Sequence, residues 1–159
     1  MYSRPDGIEV RVTGIAGGHL GLAHAAESHG GNDAAPTITW KPVSGAASYA
    51  VTCFDPDAPT GSGVWHWVMT DIPRSVTTVV SGDPPRGGRV FVNDLGVAGY
   101  TGAAPPPGAP HRYEFTVWAL DIAEVPLPEG ATHALARFFV HQHAIAAGTK
   151  VALFGVSAA

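Results

Sequence analysis

The run Tyr49-Ala50-Val51-Thr52-Cys53-Phe54-Asp55-Pro56-Asp57-Ala58-Pro59, followed by Val64-Trp65-His66-Trp67-Val68-Met69, decides how this chain reads. Its opening six residues are rich in β-branched and aromatic side chains, which suit a pleated backbone. It then breaks at a corner that two prolines stiffen by fixing φ and removing donors. After Gly61-Ser62-Gly63 the strand chemistry resumes, and Trp65 to Ile72 reads as a second strand. Strict alternation places Trp65, Trp67 and Met69 on one face, with His66 and Val68 on the other.

The same texture continues on both sides. Ile8–Val12, Thr37–Trp40, Val76–Val80, Val90–Val92, Tyr113–Leu120 and Val151–Val156 are further strand candidates, bounded by Gly, Pro, Asn or Asp. Many short strands joined by turns predict a mainly β fold of two antiparallel sheets. One segment, Thr132 to Ala147, follows helical spacing through Leu135, Phe138, Phe139, Ile145 and Ala146. Thr132 can cap its start and Gly148 can supply a left-handed stop, so a C-terminal helix should pack this stripe on the sheets. Gly14 to Pro36 reads as loops around a weak strand. Ser81 to Pro110 is a long Gly- and Pro-rich stretch, of the kind that binds something or is disordered. With no repeat and no linker, residues 1–159 are expected to form one domain.

The formal charge of −4 and the absence of any Lys/Arg cluster argue against nucleic acid as a partner. No apolar run approaches the ~20 residues of a membrane span. The first seven residues lack the hydrophobic segment of a secretory signal, and the single cysteine, Cys53, has no internal partner. Together these predict a cytoplasmic protein. Neither a metal nor a cofactor is expected. His141 and His143 would project about 200° apart on a helix, and His19, His24 and His29 have no cysteine or acidic cluster nearby. Cys53 reads as a buried, inert thiol.

Four places could carry chemistry. Asp55 and Asp57 stand at a rigid strand exit, although aspartates in such a corner also serve simply to satisfy backbone N–H groups. His66 lies mid-strand between two tryptophans and must be partly desolvated. His111 and Tyr113, two residues apart on an extended segment, point the same way and can offer an imidazole and a phenol to one ligand. Arg112 points oppositely and suits a carboxylate such as Asp57. In the preceding loop, Gly102 to Ala104 could present backbone N–H groups to an anion, with Pro105 and Pro106 as a stiff wall.

Taken in order, Asp55-Pro56-Asp57-Ala58-Pro59, Trp65-His66-Trp67, Asn93-Asp94, Gly99-Tyr100-Thr101-Gly102, Pro105-Pro106-Pro107-Gly108 and His111-Arg112-Tyr113-Glu114-Phe115 resemble the phosphatidylethanolamine-binding protein family, in its bacterial branch. The likeness covers most of the chain after about residue 35. It implies a Greek-key sandwich with a small pocket at one end that takes phosphate, phosphorylethanolamine, acetate or similar anions. Carried onto this chain, the pocket residues are Asp55, His66, His111 and Tyr113, with Pro59, Pro105 and Pro106 as walls. Gly102 and Ala104 stand beside them, and Asp57 and Arg112 serve as support.

Three functions follow from such a pocket. A binding module would hold a small anionic or phosphorylated ligand without turnover. An acid–base enzyme (dehydratase, cyclase or isomerase) would use Asp55 or His66 as the base, with His111 and Tyr113 stabilising negative charge. A regulator of a kinase or protease would act through a protein partner, and no apolar patch or charge run favours that. A homodimer is left open.

Overall fold

The computed structural model describes residues 7–158. Among them ten strands form: β1 (Val10–Val12), β2 (Ile15–Ala16), β3 (His19–Leu20), β4 (Ile38–Trp40), β5 (Ser48–Asp55), β6 (Val64–Pro73), β7 (Thr78–Val79), β8 (Arg89–Val90), β9 (His111–Leu120) and β10 (Ala144–Phe154). A single α-helix, α1 (His133–His143), precedes β10, and two single-turn 3-10 helices cover Leu22–His24 and Glu27–His29. The small sheet runs β1-β4-β7 and the large one β2-β3-β10-β9-β5-β6-β8. The two-sheet, mainly β arrangement expected from the sequence is therefore present. Pairing is antiparallel except between β3 and β10, which meet in parallel at His19 and Leu153.

The main core lies between the sheets, where Trp40, Tyr49, Val51, Trp67, Met69, Phe115 and Val117 interlock. A second cluster sits on the opposite face of the large sheet, where α1 covers Ala50, Trp118 and Leu120 with Val140. Strands β5 and β9 are thus buried on both faces, which is why their sequences read as near-continuous apolar runs rather than clean alternation.

Two expectations need correction. The helix ends at His143, four residues before the predicted end, and Ala144 turns directly into β10. Gly148 is no helix stop. It sits inside β10 at a point where a Cβ would strike the carbonyl of Ile8, so the crossing chain demands a residue without one. Ala144 to Gly148 suits helix and strand alike by composition, and the open edge of β9, which pairs with β10 from Leu120 to His111, decides for strand. The packed stripe of α1 is also rotated. Ala136 and Val140 are buried, whereas Leu135 is exposed and Phe138 remains 57% exposed. Small Ala136 allows close approach to Val68 and Phe91. Thr132 does cap the helix, its hydroxyl accepting from Leu135 N–H at 3.2 Å.

The second correction concerns His66. Phe54 pairs with Trp65, yet Cys53 pairs with Trp67, so β6 carries one extra residue there. This bulge breaks the alternation assumed above. Trp65 turns outward to stack on Phe54 at 4.2 Å, while Trp67 stays in the main core. His66 is the extra residue, and it joins the inner side with Trp67.

Candidate functional site

Because β5 runs antiparallel to both neighbours, its exit lies beside the starts of β6 and β9. The register that pairs Phe54 with Glu114 brings Asp55 level with Tyr113. Alternation along β9 turns His111, Tyr113 and Phe115 inward and Arg112 outward. Asp55, His66, His111 and Tyr113 therefore meet at one end of the sandwich and line a cavity of about 190 Å³. Pro59, Ala104, Pro105 and Pro106 line it too.

Asp55 accepts three hydrogen bonds from the protein. Its Oδ1 accepts the N–H groups of Asp57 (2.8 Å) and Ala58 (3.1 Å), so the proline corner folds back on its own carboxylate. Its Oδ2 accepts from His111 Nδ1 at 2.8 Å. The carboxylate thereby fixes the His111 ring and leaves Nε2 as that ring's free valence. His66 Nδ1 donates to the Thr101 carbonyl at 2.7 Å, which leaves Nε2 without a protein partner among the described residues. Burial is the chief cause holding the His66 pKa below its ordinary value, opposed by the Thr101 carbonyl and by Asp55. The ring is thus neutral near pH 7 and offers a lone pair.

Tyr113 packs edge-on to His66 at 5.4 Å between ring centres. Its hydroxyl is shut away from solvent and completes no hydrogen bond of acceptable geometry. Burial, and then the neighbouring Asp55 charge, push its pKa well up, so it is a committed donor. Asp57 lies outside the cavity wall in a two-pronged pair with Arg112, at 2.8 and 3.0 Å, and also takes the Arg112 N–H at 2.8 Å. The guanidinium beside it holds the Asp57 carboxyl at about 2.

Gly102 is not in the cavity. Its N–H donates to Asp33 Oδ1 at 2.8 Å, and the Ala103 N–H is taken by the His24 carbonyl at 3.3 Å. Two of the three amides considered for an anion nest are therefore spent. Glycine is needed at 102 because a Cβ there would run into the backbone of Ala25 and Ala26. Sequence reasoning missed this buttress. The segment from His24 to Asp33 grips the loop through an Ala25–Ala103 bridge, through Tyr100 Oη donating to the His24 carbonyl, and through His29 donating to the Pro105 carbonyl. Partners some seventy positions apart leave no local signal. Leu95, Thr60 and Val64 also line the cavity and were not singled out. The described residues contain no group of three or more His, Cys, Asp or Glu side chains able to hold a metal.

The family model described as phosphatidylethanolamine-binding protein matches residues 13–155. YbhB of Escherichia coli is 44% identical over 131 residues, covering 78% of this chain and 83% of its own. YbcL of the same organism is 39% identical over 141 residues, covering 82% and 77%. The YbcL crystal structure, described as a new member of the mammalian PEBP family, superposes with a TM-score of 0.88, spanning 94% of this chain and 99% of its own at 35% identity. On a fold and a match of this extent, the chain belongs to the phosphatidylethanolamine-binding protein family.

Proposed function

We propose that the protein binds a small oxyanion or phosphorylated head group in the cavity between Asp55, His66, His111 and Tyr113. The observation that carries this reading is the convergence on one cavity of two imidazoles, His66 and His111, each of which makes its protein hydrogen bond through Nδ1 and keeps Nε2 for a ligand. The Asp55–His111 pair supports the same reading, since the carboxylate fixes the ring through Nδ1 and leaves Nε2 for the ligand. The neutral Nε2 of His66 accepts, so the site suits an oxyanion that keeps one protonated oxygen, such as hydrogen phosphate or a phosphomonoester. The buried, unpaired Cys53 supports a reducing, cytoplasmic setting.

Calorimetric titration with inorganic phosphate at about pH 7 tests the proposal. The unmodified protein should bind, and His111→Ala should bind at least about tenfold more weakly. No binding by the unmodified protein, or an unchanged affinity in the variant, overturns it.

One observation favours a second reading. Asp55 is tied to Asp57, Ala58 and His111, whereas His66, neutral and hydrogen-bonded through Nδ1, presents Nε2 as a general base would. Acid–base catalysis would then rest on His66, with Asp55 orienting His111.

A further inference from the structure

The buried side chain of Asn93 joins segments that the sequence keeps apart. Its Nδ2 donates toward the carbonyls of His66 (3.1 Å) and Gly99 (3.0 Å) and the hydroxyl of Thr101 (2.8 Å). Its Oδ1 accepts from the N–H groups of Leu95 (2.9 Å) and Val97 (3.2 Å). An amide has two N–H hydrogens and two lone pairs, so this one is fully used. Two of these contacts lead straight to the cavity. Thr101 N–H donates to the His66 carbonyl at 3.0 Å while the Thr101 carbonyl accepts from His66 Nδ1, so each residue clasps the other. Leu95, held by Oδ1, forms part of the cavity wall.

Thr101 belongs to no strand, so no ladder fixes its carbonyl. A hydrogen bond weakens steeply once its acceptor swings out of line. We propose that Asn93 is a positioning residue: by clamping Thr101 against His66 it holds the ring in its Nδ1–H form, with Nε2 open to the cavity. The tautomer follows from geometry alone, whereas the consequence for binding rests on the anion-site reading above. Asp94, the next residue, anchors the same segment from outside, its Oδ2 accepting from Trp65 N–H at 2.7 Å and its Oδ1 meeting His133 Nε2 at 2.6 Å. It touches neither His66 Nδ1 nor Thr101 and so provides a control.

The test reads the His66 ring nitrogens by ¹⁵N NMR without ligand, then titrates inorganic phosphate. The unmodified protein should show the Nδ1–H form. Asn93→Ala, with its distant resonances unmoved, should show a mixture of both neutral forms and bind phosphate about tenfold more weakly, equivalent to ~1.4 kcal/mol. Asp94→Asn should keep the Nδ1–H form. A folded Asn93→Ala protein that retains the pure Nδ1–H form, or an equal loss of preference in Asp94→Asn, overturns the proposal. Should Asn93→Ala fail to fold, Thr101→Val decides, because it removes only the hydroxyl that Asn93 holds. A mixed ring population then supports the clamp, and an unchanged one overturns it. Failure of the unmodified protein to bind phosphate would sink the anion-site reading while leaving the spectra to judge Asn93.

Discussion

The Tyr113 hydroxyl is buried beside Asp55, and burial followed by that charge keeps it protonated, a donor at the edge of the site. Tyr113→Phe is expected to weaken phosphate binding about tenfold while changing stability in urea by no more than about 1 kcal/mol. Undiminished affinity by calorimetry would remove the hydroxyl from the site. The residue types at this site were visible in the sequence, because Asp55, His111 and Tyr113 each sit at a strand end with a legible turn beside it. Their division of labour was not. That Asp55 is tied to Asp57, Ala58 and His111, and that His66 bonds through Nδ1 and keeps Nε2 for the cavity, depends on hydrogen bonds that composition does not encode.

Among the elements, β10 and α1 show how neighbours override local preference. Gly148 pairs with Val117 across the ladder and lies beneath Ile8, whose N–H donates to the Ala147 carbonyl at 3.1 Å. Gly148→Ala should push this crossing apart and cost about 1–3 kcal/mol, as overpacking does. Chemical denaturation measures it, and a loss below about 0.5 kcal/mol would show that the Ile8 segment yields freely. The β6 bulge is the matching case near the site. One extra residue between Trp65 and Trp67 carries His66 inward beside Tyr113, and a strand read by strict alternation cannot reveal it.

At the scale of the molecule, burial of His66 couples the site to global stability. Its pKa is lowered from 6.5 on folding, so below that pH the unfolded chain takes up a proton that the folded one refuses. The unfolded state then binds more protons, and stability falls as the pH drops through the range beneath 6.5. His66→Gln should flatten this fall in urea titrations run from about pH 7.5 to 5, and an equally steep profile in the variant would refute the assignment. The sequence alone determined the mainly β class, most strand positions, the cap at Thr132 and the identity of the polar groups, because propensity, periodicity and turn chemistry act over a few residues. Only the tertiary structure decided where α1 stops, which way His66 faces and how residues 24 to 33 brace the loop that walls the cavity. Those outcomes depend on contacts across tens of residues, where the energy of packing and of satisfied buried hydrogen bonds outweighs local preference.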